Sequence, residues 1–90
     1  MAYHRADTLF VKSFDYLEGA TYPDLGCNFE SFTNEEMLEV EALGPLVTLA
    51  PDAATEHTEH WNLIDNVVSP PMADEEIGAW IAPLLRRVGI

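Results

Sequence analysis

Ninety residues suffice for one domain with a modest core, and an apolar fraction of 48% is too high for a disordered chain. Sixteen Asp and Glu against four Lys and Arg give a formal net charge of −12, a surface that repels phosphate backbones and anionic headgroups, so neither nucleic acid nor membrane is an expected partner. One cysteine, Cys27, leaves no internal disulfide, and no apolar run resembles a leader or a membrane span; both point to a cytoplasmic protein.

In chain order, Met1 to Asp7 is polar and reads as either a disordered end or a truncated strand. Thr8 to Tyr16 is the first expected strand, with Leu9 and Val11 on one face and Phe10 and Phe14 on the other. Gly19, Pro23, Asp24 and Gly26 punctuate a loop, with Pro23-Asp24 suited to a turn. Cys27 to Phe32 reads as a second strand, with Phe29 toward a core and Asn28 and Glu30 on the opposite surface.

The next segment sets two rules against each other. Thr33-Asn34-Glu35-Glu36 matches a capping box, and Gly44-Pro45 is a helix stop, so local propensity reads a helix. Yet Leu38, Val40 and Ala42 alternate with Met37, Glu39 and Glu41, which is strand periodicity with a turn at Thr33 to Glu35. Leu46 to Leu49 reads as a short strand between prolines. Ala54 to Ile64 reads as a long one, with Thr55, His57, Glu59, Trp61 and Leu63 on one face and a solvated set ending in His60 and Asn62 on the other. The strand region thus spans 8–64 of a single 1–90 domain, followed by a proline-bearing linker over 65–72 and a helix over 73–88. Asp74 is the expected N-cap, Ile77, Trp80, Ile81, Leu84, Leu85 and Val88 form an apolar stripe, Pro83 should kink the helix, and Gly89 ends it.

Few constellations suggest chemistry. Glu56-His57-Thr58-Glu59-His60 has metal-ligand residue types, but a strand sends His57 and His60 to opposite faces, so no metal is expected. Glu39 and Glu41, two apart on a strand, place two carboxylates side by side, where each disfavours ionisation of the other and one can be poised as a base. Asn28 and Glu30 form a similar polar pair able to hydrogen-bond a polyol. Trp61 and Trp80 each lie on an apolar face and read as core, and Cys27 reads as a small buried hydrophobe. No phosphate loop or nucleophile elbow is present, and no cofactor is expected.

The stretches ATYPDLGCNFESFTN and LEVEALGPLVTLAP, within a likeness running from about Thr8 onward, resemble the C-terminal strands of the DUF4380 family in the galactose mutarotase-like group. Aldose 1-epimerases of that group show a Leu-Glu strand, a Leu-x-Pro-Gly segment and a His-x-x-Trp strand. Leu38-Glu39, Leu49-Ala50-Pro51-Asp52 and His57 to Trp61 stand in those places, with Asp52 in place of glycine and a longer His-to-Trp interval. The resemblance implies that the Glu39 segment is a strand. It also implies an overall fold that is mainly β, an antiparallel sheet or partial β-sandwich with one C-terminal helix. It further implies a hexose-type sugar as ligand and Glu39 as the base that takes the anomeric hydroxyl proton, Glu41 being the rival base if the alignment slips by one pleat; Asn28, Glu30 and Glu41 are then the expected ligand-binding groups.

The family's acid histidine has no counterpart, so a carbohydrate-associated protein without turnover by one chain is expected. The alternatives are a structural or interaction module that lost the sugar, and an epimerase completed across an interface by His4 or His60 of another chain. A sandwich fragment leaves edges and an apolar face open, so a homo-oligomer, most simply a dimer, is the expected assembly.

Overall fold

Strand β2 (Thr8–Ser13) alternates Leu9 and Val11 toward one face with Phe10 and Lys12 toward the other, and it is the central strand of the larger sheet. The computed structural model describes Met1–Ile90. Around β2 the chain forms β1 (Ala2–Arg5), β3 (Phe29–Thr33), β4 (Leu38–Ala42), β5 (His60–Ile64) and helix α1 (Asp74–Arg87). The fold is therefore mainly β, with two antiparallel sheets and one C-terminal helix. One sheet is ordered β1-β2-β5 and the other is the β3–β4 hairpin. The chain divides into two compact units, the first made of Met1–Ser13 with His60–Ile90 and the second of Phe14–Glu59.

In the first unit β1 and β2 are joined by Ala6 and Asp7, with Arg5 opposite Thr8. Both loop residues have positive φ, 47° and 65°, the geometry of a two-residue turn matched to strand twist, here built without glycine. The polar N-terminal segment is thus a strand rather than a disordered end. The α-ammonium of Met1 donates to the Lys12 carbonyl at 2.8 Å, and the Lys12 amide donates back to Met1 at 2.9 Å.

Leu9, Val11, Ile64 and Val67 are buried and form the core, with Trp80, Leu84, Leu85 and Val88 of the α1 region packed on it. Full burial of each such aliphatic side chain contributes about 1.5–3 kcal/mol. The Val67 amide donates to the Asp7 carbonyl at 2.8 Å, and His4 Nε2 donates to the Val67 carbonyl at 2.8 Å, which fixes the proton on that nitrogen. The Trp80 indole donates to Val68 at 3.2 Å and meets His4 edge-on. So Trp80 is partly buried against the core, on the side that its place in the apolar stripe suggests.

Helix α1 begins at Asp74 with Ala73 as N-cap and no side-chain cap. Asp74, expected to cap, instead joins Glu75 and Glu76 in the first turn, where their charges face the positive end of the dipole. The helix continues through Pro83. Its C-terminus is closed by a paired motif: Ile90 donates to Leu85 at 3.0 Å and Gly89 to Arg86 at 3.2 Å, with Gly89 at φ +82°.

Register corrects the expected faces of β5. Leu9 lies opposite Ile64 and Val11 opposite Asn62, so Ile64 and Asn62 share the face that α1 covers. Trp61 and Leu63 fall on the other face and are 67% and 72% exposed, the reverse of the core role expected for Trp61. The strand is also shorter than the expected Ala54 to Ile64, because pairing with β2 begins only at His60.

In the second unit β3 and β4 pair from Phe29 opposite Ala42 to Thr33 opposite Leu38. The loop between them is held by Asn34, whose Oδ1 accepts the amides of Glu36 and Met37, both at 2.9 Å. Leu46 to Leu49 forms no strand. Its backbone makes one long-range bond, Leu46 N to the Thr21 carbonyl at 2.8 Å, and the flanking Pro45 and Pro51 cannot donate to a ladder. Tyr22 is buried and stacks on Tyr16 with ring centroids 4.5 Å apart, and Phe14 stacks on Phe29 at 6.3 Å.

Candidate functional site

The pairing of β3 with β4 decides which polar residues meet. Glu30 lies opposite Glu41 and Phe32 opposite Glu39. Side chains two apart on a strand share a face, so Glu30, Phe32, Glu39 and Glu41 occupy one face of the hairpin. Phe29, Ser31, Leu38, Val40 and Ala42 take the other. Three of the four sequence-predicted site residues are thus brought together. Asn28 plays a different part: its Nδ2 donates to the Asp15 carbonyl at 3.1 Å and its own carbonyl accepts the Leu43 amide at 2.8 Å, so it braces the hairpin base.

Crowding of carboxyl groups sets the electrostatics. Glu39 is raised above its ordinary value, chiefly by a hydrogen bond shared with the Glu41 carboxyl, then by partial desolvation and the Glu41 charge. Glu30 is also raised, chiefly by a hydrogen bond with the Asp24 carboxyl, then by desolvation and the charges of Asp24 and Glu41, while the Cys27 thiol pulls the other way. A chain of carboxyl groups runs from Asp24 through Glu30 and Glu41 to Glu39. Within that row Glu30 and Glu39 hold their protons more tightly than isolated carboxylates, and carboxyl oxygens accept hydrogen bonds from hydroxyl groups.

Asp24 and Cys27 extend this row, a role that sequence reasoning missed. Pro23 to Gly26 turns tightly, with Gly26 donating to Tyr22 at 3.0 Å and Cys27 to Asp24 at 3.1 Å, and with Leu25 and Gly26 at positive φ. Cys27 is exposed rather than buried. Its thiol donates to the Asp24 carbonyl at 2.9 Å and lies 3.9 Å from Glu30 Oε1. The available signal was the Pro-Asp-Leu-Gly turn immediately before β3, which folds Asp24 back beside the strand.

A second arrangement in the same unit was not foreseen. A cleft of about 180 Å³ is lined by Asp15, Tyr22, Gly44, Glu56, His57 and Thr58, with apolar side chains beside them. His57 Nε2 lies 3.4 Å from Glu59 Oε1, and its Nδ1 side packs over Gly44. These residues come from loops that were read as connectors or as part of a long strand, so no periodicity marked them.

No group of three or more His, Cys, Asp or Glu side chains is positioned to hold a metal ion. No helix is long and apolar enough to cross a membrane. No family model, curated protein or solved structure matches the chain.

Proposed function

We propose that the protein is a carbohydrate-associated β-protein, resembling the C-terminal portion of a mutarotase-like domain, that binds a hexose-type sugar on the β3–β4 face without turnover by one chain. The observation that carries this reading is the register that sets Glu30 opposite Glu41 and Phe32 opposite Glu39. Carboxyl oxygens accept bonds from sugar hydroxyls in pairs, and the exposed Phe32 ring offers a platform for the C–H face of a pyranose.

Glu39 is the candidate base, since the direction of its shift brings it closer to neutrality, as general-base work requires. Glu30 and Glu41 are proposed as ligand-binding groups, and Asn28 as the brace that places Glu30. Anomeric proton exchange also needs an acid, and neither β3 nor β4 contains a histidine. The likeness of the Leu38-Glu39 strand to the mutarotase-like pattern supports the same assignment.

Titration with glucose and galactose, followed by NMR, tests the reading. Saturable shifts on β3 and β4 that vanish in Glu39→Ala and Glu41→Ala are expected, with no mutarotation above buffer by polarimetry. Absence of binding across a hexose panel by a folded protein removes it. A rate above buffer would instead favour an enzyme assembled across chains, using His4 or His60.

A structural or interaction module is the second reading, favoured by Trp61 and Leu63, which stand exposed on the sheet face opposite α1. The occupant proposed for that face is a second copy of the chain, giving a homodimer. Light scattering at micromolar concentration distinguishes a dimer from a monomer, and Trp61→Ser should dissociate it. The proposed setting is the reducing cytoplasm, in keeping with an exposed free Cys27; subcellular fractionation checks it.

A further inference from the structure

We infer that the cleft bounded by Asp15, Tyr22, Glu56 and His57 is a second ligand site, for a small hydroxylated organic cation such as an amino alcohol or amino sugar. Its residues are separate from those of the carboxylate face of the hairpin, so the inference stands independently of the reading above.

Three features of the cleft define what would fill it. The first is an unspent donor. Tyr22 is 6% exposed, and its phenol oxygen accepts the Leu17 amide at 3.1 Å. No protein acceptor takes the phenol's own proton, which leaves it for an acceptor in the cleft. Tyr22 lines the cleft, so a hydroxyl oxygen held there receives that proton.

The second feature is uncompensated negative charge. Asp15 and Glu56 both line the cleft, and no lysine or arginine does. The histidine that lines it, His57, has its Nε2 3.4 Å from Glu59 Oε1. The surrounding chain carries a formal −12, and a concave site focuses that field on an entering cation. No metal fits, because no three donor side chains converge.

The third feature is size and wall. A cleft of 180 Å³ is close to the roughly 150 Å³ that accommodates a benzene ring, which limits the ligand to one ring or a short chain. Leu17 and Leu43 supply an apolar wall for its C–H surface. Gly44 keeps the rim low: a Cβ there would sit 3.4 Å from His57 Nδ1. The site thus supplies two anionic acceptors and one hydroxyl donor. A molecule with an ammonium and a hydroxyl on one small frame answers all three, whereas a neutral polyol leaves the charge unanswered and an alkylamine leaves the phenol unanswered.

The experiment titrates the whole chain with glucosamine, glucose and n-butylamine, followed by NMR shifts and calorimetry. Saturable glucosamine-dependent shifts at Tyr22 and His57 are expected, with a titration curve separable from any on β3 and β4. Asp15→Asn, Glu56→Gln and Tyr22→Phe should each weaken the binding read there by roughly tenfold, the loss of one charged or buried hydrogen bond. Gly44→Val, which changes no charge, should obstruct the cleft and abolish binding, and circular dichroism checks that each variant is folded. Glu39→Ala should leave the glucosamine-dependent shifts at Tyr22 and His57 unchanged, whatever it does to shifts on β3 and β4. The inference is overturned by absence of saturable shifts at Tyr22 and His57, by Asp15→Asn and Glu56→Gln shifting there as the parent does, or by loss of those shifts in Glu39→Ala, which places the ligand on the hairpin instead. Equal affinity for glucose read at Tyr22 and His57 overturns the cationic requirement, and equal affinity for n-butylamine read there overturns the hydroxyl requirement.

Discussion

Glu30 faces Glu41 directly across the β3–β4 hairpin, so a like-charged pair occupies a cross-strand position that ordinarily favours opposite charges or apolar contact. The arrangement costs stability whenever both groups are ionised. It also keeps two proton-binding groups adjacent on an exposed face.

That cost has a sign in pH. Glu30 and Glu39 are both raised in the folded chain, so each binds its proton more readily folded than unfolded. Their stabilising contribution is complete below the unfolded carboxylate value and is lost as pH rises through the raised folded value. Glu41→Gln removes the shared partner, and its thermal midpoint at neutral pH should exceed the parent's. The gap should narrow as pH falls toward about 4, as Glu30 and Glu39 take up their protons. A gap that widens on acidification would contradict the shared-proton arrangement.

Asp52 and Ala6 are two of the five residues other than glycine that sit at positive φ. Asp52 follows Pro51 at φ +66°, and Ala53 donates to Ala50 at 3.0 Å, the pattern of a proline-led turn that wants glycine third. Ala6 has φ +47° in the β1–β2 turn. Asp52→Gly and Ala6→Gly should each stabilise the chain by about 1 kcal/mol, the order of the steric cost of that conformation less glycine's extra unfolded-state entropy. Chemical denaturation curves measure both, and a decrease for either variant would mean that the side chain makes a compensating contact.

Leu9 is the most completely buried large side chain. Leu9→Ala should cost about 2–5 kcal/mol, a large share of the roughly 5–15 kcal/mol that holds a small domain. Loss of amide-exchange protection should spread through β1, β2 and β5, while the β3–β4 hairpin, in the other compact unit, retains its own.

Asn34 carries the hairpin loop through two amide bonds to one oxygen. Asn34→Ala should destabilise the hairpin by about 1 kcal/mol, the usual worth of such a side-chain cap. Asn34→Asp should retain most of it. NMR shifts of Leu38 and Thr33, the closing pair, report the change locally.

Much of this architecture was legible from residue order. Alternation in Leu9-Phe10-Val11 marked β2, and the stripe from Trp80 to Val88 marked α1. The conflict over Thr33 to Ala42 resolves in an instructive way. Asn34, rather than the Thr33 that opens the capping box, accepts two downstream amides, and the turn it holds closes a hairpin instead of starting a helix. Local chemistry identified the turn, and pairing between Phe29–Thr33 and Leu38–Ala42 decided what followed.

The illegible parts are those fixed by partners distant in sequence. Nothing within His60–Ile64 says that Ile64 rather than Trp61 faces the core, because that choice is made by register against Leu9 and Val11. The carboxylates Glu39 and Glu41 could be placed side by side from spacing alone, whereas Glu30 joined them only through the hairpin register. The cleft was invisible for a further reason: its polar residues sit on loops, where no period relates sequence to direction.

Ser13 and His60 are opposite partners on β2 and β5, and the whole of the second unit is looped out between them. During synthesis, Leu9 and Val11 therefore wait for β5 before their sheet can close, while β3 and β4 can pair as soon as a short loop has emerged. Closing the longer loop is entropically the slower event, and a pre-folded insert shortens the effective span to be closed. The hairpin unit is thus the connection whose closure the larger sheet requires, although it contributes no strand to it.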